Sequence, residues 1–122
     1  MPELTIRNAS AADFSAITAI YRHHVLHGTG TFENQAPDEA EMARRWQEVQ
    51  SRGLPWLVAV SGQLIVGFAY ANWFRAREAY RFTVEDSIYI APNALGQGVG
   101  GRLLDALIET CTQRGARQML AV

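Results

Sequence analysis

Residues 82–111, FTVEDSIYIAPNALGQGVGGRLLDALIETC, decide the fold. Most of the first nine residues are β-branched, aromatic or otherwise apolar, which predicts a strand over 82–90. Pro92 ends the strand because proline has no N–H to donate to a sheet. Apolar residues then recur at the spacing of one buried helix face. They are Val99, Leu103, Leu104, Leu107, Ile108 and Cys111.

Glycines fill the turn between the strand and the helix, at positions 96, 98, 100 and 101. Glycine lets the backbone adopt positive φ and approach another molecule closely. The helix begins inside this cluster, where its first N–H groups have no intrahelical acceptor. Together these features predict a site for phosphate or pyrophosphate. A tight connection that merely needs glycine is the alternative, although one turn does not require so many.

Three phosphate-binding patterns compete for this turn. The ATP-type loop is excluded because Arg102 and Leu103 replace its Lys-Ser/Thr pair. The dinucleotide fingerprint G-x-G-x-x-G is matched, but it should follow its strand at once and be followed by an acidic residue about 20 positions later. Here 91–95 intervene, and no acidic residue follows in RGARQMLAV. The third pattern, Q/R-x-x-G-x-G/A, fits at both glycines, with Leu95 in place of Gln or Arg.

The segment SIYIAPNALGQGVGGRLL, residues 87–104, resembles the acetyl-CoA loop of the GNAT N-acetyltransferase superfamily. AYRFTVEDSIYI, residues 79–90, resembles the phosphinothricin/methionine sulfoximine (sulfone) N-acetyltransferase branch of it. The likeness covers nearly the whole chain. It implies an α/β (α+β) fold, with a mixed, mostly antiparallel sheet flanked by helices. It also implies one domain over 1–122 without its C-terminal third, since family members continue with a further helix and two strands.

The resemblance implies N-acetylation of a small amino-acid-like amine, such as phosphinothricin, methionine sulfoximine or methionine sulfone, by direct attack on acetyl-CoA. A backbone N–H of strand 87–90 would stabilise the oxyanion. The residues implied to contact acetyl-CoA are Ile88, Tyr89, Ile90, Gly96, Gln97, Gly98, Val99, Gly100 and Gly101. Leu95 predicts a weaker phosphate contact, for which Gln97 or Arg102 could compensate.

Two carboxylates interrupt the predicted strand. Alternation sends Glu85 and Asp86 to opposite faces, so at most one of them faces a given pocket. A carboxylate within a strand is costly unless it is paired or functional. A partly buried carboxylate could remove the proton from an ammonium group. The resemblance assigns that role to the Glu of the T-V-E motif, Glu85; an ion pair with Arg81 or Arg75 is the alternative.

Arg75 and Arg77 are one residue apart, so in extended chain they point to the same side. Guanidinium groups match carboxylate, phosphinate or sulfonyl oxygens. On the residues alone a solvated loop is favoured, whereas the resemblance implies that both hold the acidic end of the substrate. It further implies that the loop 28–36 closes over the acceptor, which makes Phe32 and Glu33 candidate substrate-side residues.

Periodicity and turn residues predict the other elements. These are a strand over 4–8, a helix that begins after Ser10, carries Phe14 and ends near His27 and Gly28, a helix over 38–52, a hairpin of strands over 55–60 and 64–74, and a strand from 117. Ser10 and Asp13 predict a capping box before the first helix. Pro37 suits the first turn of the second helix, and Gly53 its end.

Composition limits the partners. A chain of 122 residues with 48% hydrophobic residues suits one domain, and a net charge of -1 predicts no nucleic-acid partner. Cys111 is the sole cysteine, which suits a reducing compartment, and we predict a cytoplasmic protein. No apolar run approaches a membrane span, so no membrane association is expected. The apolar last strand offers an edge for pairing, which predicts a homodimer.

No metal site is expected. His23, His24 and His27 look like a cluster, but HHVLH lacks the Glu of H-E-x-x-H. We interpret them as surface or substrate-side histidines. Two other functional hypotheses are kept: a catalytically impaired acyl-CoA-binding module, and a dinucleotide-binding oxidoreductase, which would require a parallel sheet and an acidic ribose ligand.

Overall fold

In the part of the chain that the structure describes, a five-stranded sheet carries the fold, with its strands in chain order. The computed structural model describes residues 3–27, 35–73, 83–114 and 118–121. The strands are β1 (Leu4–Asn8), β2 (Trp56–Ser61), β3 (Leu64–Trp73), β4 (Thr83–Ile90) and β5 (Gln118–Ala121). The first four strands pair antiparallel in sequence, and β5 lies parallel to β4. The predicted mixed, mostly antiparallel sheet is confirmed, and it is not the parallel sheet that the oxidoreductase hypothesis requires.

Within the described ranges, three α-helices accompany the sheet: α1 (Phe14–Leu26), α2 (Glu39–Ser51) and α3 (Val99–Gln113). The short 3-10 turn Pro92–Ala94 lies between β4 and α3. Predicted and observed boundaries agree within about two residues, except at the first helix, where the 3-10 turn Ala11–Asp13 follows the cap and α1 begins only after it. The predicted strand ends at 74, 82 and 117 lie outside the described residues.

Asp38 and Gly53 set the start and the end of α2. Asp38 caps the helix, since its carboxylate accepts a hydrogen bond from the Glu41 N–H at 2.8 Å. The prediction for Pro37 was therefore wrong: it lies before the cap rather than in the first turn. Gly53 does end the helix, with φ 71°. Its N–H donates to the Gln50 carbonyl at 2.9 Å, the usual closure by a left-handed glycine.

The sheet separates two packed layers. Phe68 and Tyr89 lie opposite each other in the β3–β4 register and share one face of the sheet. The Tyr21 ring of α1 meets Tyr89 edge-on at 5.0 Å, which places α1 on that face. On the other face, α3 approaches so closely that a Cβ on Gly67 would lie 3.2 Å from a methyl carbon of Leu103. Glycine at this position therefore permits the contact between α3 and the sheet.

The buried side of α3 is narrower than its apolar residues suggest. Ile108 keeps 45% of its surface exposed, so its predicted place on the buried face was wrong. Cys111 is buried, as predicted for a core residue. Burial raises the pKa of its thiol to about 11, so the thiol stays protonated and unreactive at neutral pH. The fully buried positions of α3 are Val99, Leu103, Leu107 and Cys111.

The N-terminal part of α1 depends on one carboxylate. Asp13 keeps only 5% of its surface exposed, and it accepts hydrogen bonds from the Ser10 N–H at 2.7 Å and from both terminal nitrogens of Arg7 at 2.8 and 2.9 Å. The hydrogen bonds from Arg7, followed by those from Ser10, hold the Asp13 pKa below its usual value against the opposing effect of burial. The predicted capping box is confirmed.

We expect Asp13→Asn to lower the free energy of unfolding by roughly 1–2 kcal/mol at pH 7, because a neutral amide cannot form the charge-assisted pair with Arg7. A carboxyl whose pKa is lower in the folded state stabilises the fold above its unfolded pKa, near 3.9 for Asp. That contribution is lost as the pH falls through the folded pKa. The difference between parent and variant should thus persist at pH 5 and shrink below about pH 4.

Urea unfolding across this pH range measures the effect. Asp38→Asn is the matched control, because asparagine caps a helix as well as aspartate does, and it should change the free energy by only a few tenths of a kcal/mol. A loss for Asp13→Asn that stayed constant down to pH 2 would contradict the assignment to the ionised carboxylate.

Candidate functional site

The glycine-rich turn has the backbone that its composition predicts. Gly96 and Gly98 both have φ 79°, in the left-handed region. A Cβ at either position would meet nothing within 4 Å, so the requirement for glycine comes from the backbone conformation rather than from crowding. Gly98 is the N-cap residue of α3, and the prediction that the helix begins inside the glycine cluster is confirmed.

The start of α3 presents backbone donors. The first bond of the helix runs from the Arg102 N–H to the Gly98 carbonyl at 3.2 Å. The N–H groups of Val99, Gly100 and Gly101 precede that bond, and such groups have no intrahelical acceptor. Gly101 is exposed, with no atom within 4 Å of the Cβ position. An anion can therefore approach these donors, where the helix dipole favours negative charge.

The side chains around the turn offer fewer groups for binding an anion than the backbone does. Leu95, which stands where the family pattern has Gln or Arg, is 62% exposed. Arg102 donates to the Leu4 carbonyl at 3.2 Å, which turns its guanidinium toward β1. Gln97 stays within the turn, with its amide nitrogen 3.5 Å from the Asn93 carbonyl. Of the two residues expected to compensate for Leu95, only Gln97 remains at the turn.

The end of β4 offers backbone groups on its far side. The Ala91 N–H donates to the Val66 carbonyl of β3 at 2.8 Å. In an antiparallel pair the residues that face the partner alternate, so Tyr89 also faces β3, whereas Ile88 and Ile90 direct their N–H and C=O groups away from it. Within the described residues β5 pairs with 83–86. The outward backbone groups of Ile88 and Ile90 thus lie beyond the residues of β4 that pair with β5, at the end of the strand that leads into the glycine turn.

Glu85 and Asp86 lie on opposite faces, as the alternation predicts. Glu85 is opposite Asn72 on β3, and it is partly buried. Asp86 is opposite Ala71, retains 8% exposure, and lies close enough to Cys111 for its charge to raise the thiol pKa further. Asp86 is therefore the deeper carboxylate and faces α3, while Glu85 lies on the face covered by α1 and α2.

A polar chain leads toward Glu85 from α2. Arg52 donates to the Asn72 side-chain oxygen at 2.6 Å, and its guanidinium lies 4.4 Å from the Trp73 ring centre. Arg52 also pairs with Glu48 at 3.1 Å. Within the ranges that the structure describes, no ion pair or hydrogen bond engages the Glu85 carboxylate. Sequence reasoning missed Arg52 and Asn72, because their proximity to Glu85 depends on the strand register.

The histidines of α1 have different surroundings. The His24 Nε2 lies 2.9 Å from the Ile90 carbonyl oxygen, so this side chain contacts the end of β4. The His23 and His27 rings are 4.3 Å apart. Partial burial lowers the pKa of His23, and the neighbouring imidazoles of His27 and His24 lower it further. In the part of the chain that the structure describes, no three potential ligands are grouped to hold a metal ion.

The four predicted substrate-binding residues, Arg75, Arg77, Phe32 and Glu33, lie outside the described residues, as does Arg81. The predicted acetyl-CoA contacts, by contrast, all lie within the described residues, at the end of β4, in the glycine turn and in the first turn of α3. Among the described residues, no helix is long and apolar enough to cross a membrane.

Comparison with known proteins identifies the family of this chain. Residues 17–122 match the model of the Acetyltransferase (GNAT) family. The chain is 51% identical to a phosphinothricin N-acetyltransferase of Alcaligenes faecalis, over 96% of this chain and 59% of that protein. It is 35% identical to an L-methionine sulfoximine/L-methionine sulfone acetyltransferase of Salmonella typhimurium, over 97% of this chain and 69% of that protein.

A crystal structure agrees with these matches. The GNAT superfamily phosphinothricin acetyltransferase of Sinorhizobium meliloti, solved in complex with AcCoA, superposes with a TM-score of 0.95 at 50% sequence identity. The superposition covers 98% of this chain and 65% of that one. The chain therefore spans less than two thirds of the length of the Alcaligenes and Sinorhizobium relatives.

Proposed function

Because this chain belongs to the GNAT acetyltransferase family, we propose that it is an acetyl-CoA-dependent N-acetyltransferase acting on the amine of a small amino-acid-like substrate. One observation carries the proposal. The left-handed glycine turn places the open N-terminus of α3 a short connection after the end of β4, where the backbone groups of Ile88 and Ile90 point away from β3. A ligand with a pyrophosphate at one end and amides along its length fits both features.

The dimensions of β4 support the placement of acetyl-CoA, which supplies an activated acetyl thioester when bound. The donors at the start of α3 would hold the pyrophosphate, and the backbone groups of Ile88 and Ile90 would pair with an extended amide-bearing arm. Glu85 lies five residue steps along the strand from Ile90, or about 17 Å at 3.3 Å per residue. The reactive end of an arm running back along β4 would lie near Glu85.

We propose Glu85 as the general base. It must take a proton from the substrate ammonium, since only the neutral amine can attack a thioester. Its partly buried position and its lack of a bonded partner among the described residues leave the carboxylate available for that task. Asp86 is less suited, because it lies on the α3 face and is almost fully buried. An N–H of strand 87–90 that points away from β3, such as that of Ile88, would stabilise the oxyanion.

The acceptor proposal rests on the relatives and on the sequence. The Alcaligenes relative is a phosphinothricin N-acetyltransferase, and the Salmonella relative acts on methionine sulfoximine and methionine sulfone, as their names state. We propose the same class of substrate here, with Arg75 and Arg77 binding its acidic groups and Phe32 and Glu33 on the substrate side. Arg52 and Asn72 lie on the path from α2 to Glu85 and would border the same region.

We further propose that the protein is a cytoplasmic homodimer. The sole cysteine is a buried free thiol, which suits a reducing compartment. The homodimer remains a prediction from the sequence, since apolar strand edges pair readily with another chain.

Gly98→Ala tests the cofactor site. A left-handed conformation costs an L-residue about 1–2 kcal/mol, and relaxing that strain would shift the donors at the start of α3. We expect both a lower free energy of unfolding and weaker acetyl-CoA binding in titration calorimetry, by roughly tenfold or more. Gly53→Ala is the matched control: Gly53 has φ 71° and open space around it, but it caps α2. That variant should lose the same stability and bind acetyl-CoA as the parent does.

Glu85→Gln tests the base. The amide keeps the size of the side chain but cannot accept a proton, so kcat should fall by roughly 10²–10⁴-fold, with acetyl-CoA affinity almost unchanged. The loss should shrink as the pH rises, because free amine then becomes abundant without help. Release of free thiol, followed from pH 6 to 10, measures this. Glu109→Gln, on the exposed side of α3, is the control. If Glu85→Gln has the same pH–rate profile as the parent, Glu85 is not the base. If the parent itself shows no turnover, the impaired acyl-CoA-binding module is favoured.

Acceptor choice provides a third test. Phosphinothricin, methionine sulfoximine and methionine sulfone should be acetylated in preference to arylamines, which offer no acidic group to a guanidinium. Replacing Arg75 or Arg77 by Ala should raise KM for these acceptors by a factor equivalent to roughly 1.5–3 kcal/mol, without affecting KM for acetyl-CoA. Equal kcat/KM values for acidic and neutral amines would refute this assignment.

A further inference from the structure

One peptide unit, which joins Ile90 to Ala91, is held from both sides. Its carbonyl oxygen, on Ile90, lies 2.9 Å from the His24 Nε2 of α1. Its N–H, on Ala91, donates to the Val66 carbonyl of β3 at 2.8 Å. A peptide unit is planar, so two hydrogen bonds at its opposite ends fix its rotation about the chain axis. β3 supplies one of these bonds as part of the sheet, and His24 supplies the other.

The position of this unit gives the contact its significance. Ile90 is the last residue of β4, and Pro92 opens the 3-10 turn that leads to the glycines. The Ala94 N–H donates back to the Ala91 carbonyl at 2.9 Å, so the connection is tight from its first residue. The orientation of the Ile90–Ala91 peptide therefore sets the direction in which the chain leaves the edge of β4 toward the glycine turn.

The imidazole is well placed to make this contact. The His24 ring meets the Tyr89 ring edge-on at 5.3 Å, and Tyr89 packs against Phe68 in the core at 5.3 Å. A carbonyl oxygen can only accept a hydrogen bond, so Nε2 carries the hydrogen. Packing thus fixes the ring, and the ring in turn fixes the carbonyl.

The contact also determines which edge groups remain for a ligand. Ile88 and Ile90 both direct their N–H and C=O groups away from β3. His24 uses the Ile90 carbonyl. The Ile90 N–H and both backbone groups of Ile88 remain directed outward, which suits an extended arm that carries amides.

We propose that His24 is a positioning residue for acetyl-CoA. By fixing the Ile90–Ala91 peptide, it keeps the strand edge and the phosphate-binding turn at the distance and angle that let one ligand bind both. This inference rests on the proposed function. It predicts that His24 affects only ligands that span the two parts of the site.

The first experiment compares two ligands by titration calorimetry on the full-length protein. Acetyl-CoA spans both parts, whereas 3′-phosphoadenosine 5′-diphosphate is its nucleotide end and reaches the turn alone. His24→Phe keeps a ring against Tyr89 but removes the donor. We expect this variant to bind acetyl-CoA roughly 5–30-fold more weakly, the range of one hydrogen bond, and to bind the nucleotide within about twofold of the parent.

Two further variants separate positioning from packing. His24→Gln places an amide N–H as many bonds from the backbone as Nε2 and should restore most of the acetyl-CoA affinity. His27→Phe changes a neighbouring imidazole that is exposed and should leave both affinities unchanged. The inference is overturned if His24→Phe binds acetyl-CoA as the parent does, or if both ligands weaken equally. If the parent itself does not bind acetyl-CoA, the proposed function fails together with the inference.

Hydrogen exchange without ligand tests the fixed peptide itself. Removing the His24 donor should speed exchange of the Ala91 amide roughly fivefold or more, because that peptide then rotates more freely. The Phe68 amide, which bonds to β4 within the sheet, is the internal control and should not change. Unchanged exchange at Ala91 in His24→Phe would overturn the inference, even where acetyl-CoA binds normally to the parent.

Discussion

The close approach of α3 to the sheet over Gly67 is the constraint on which the rest of the site depends. A Cβ on Gly67 would lie 3.1 Å from an Ile90 methyl carbon and 3.2 Å from a Leu103 methyl carbon, tighter than nine in ten real Cβ contacts. With glycine there, α3 packs directly on β3 and β4, and its buried stripe of Val99, Leu103 and Leu107 covers the sheet. Because only eight residues, 91–98, lie between the end of β4 and the start of α3, this packing brings the helix N-terminus to the end of that strand. The backbone donors and the strand edge are neighbours for that reason.

The part of the site built from neighbouring residues could be predicted from the sequence. A β-branched run, a proline, a glycine cluster and a helical apolar pattern are each local signals, and they follow one another without a gap. A glycine cluster predicts left-handed backbone, and Gly96 and Gly98 adopt it. The capping box of Ser10 and Asp13 is also a local signal, since it is complete within four residues. The preference of proline for the first helical turn misplaced Pro37, because the Asp38 carboxylate caps the helix one residue later.

Features that depend on the register could not be predicted. Alternation showed that Glu85 and Asp86 face opposite sides, but not which side is deeper; Asp86 is buried because α3 and its Cys111 cover that face. The exposure of Ile108 has the same origin, since only a narrow stripe of α3 contacts the sheet. Arg52 reaches Asn72 across 20 positions of sequence, and no periodicity relates the two. A hydrogen bond from a side chain to a distant backbone carbonyl, such as that from His24, leaves no pattern in the sequence at all.

These observations explain how a sheet can offer a binding edge within a packed domain. An interior strand normally uses its N–H and C=O groups on both sides, and groups left unpaired in the interior are costly. β4 meets β5 in parallel over 83–86, while its far end turns away into the 3-10 turn and the glycines. The outward groups of Ile88 and Ile90 thus lie at the partly exposed end of the strand, where water can satisfy them. His24 satisfies the carbonyl nearest the turn and thereby fixes the peptide that a free strand end would leave mobile. The end of β4 can consequently offer unpaired backbone groups to a ligand while its last peptide stays fixed in orientation. A single ligand can bind both the strand edge and the phosphate-binding turn only if the edge is open and the peptide between the two is fixed.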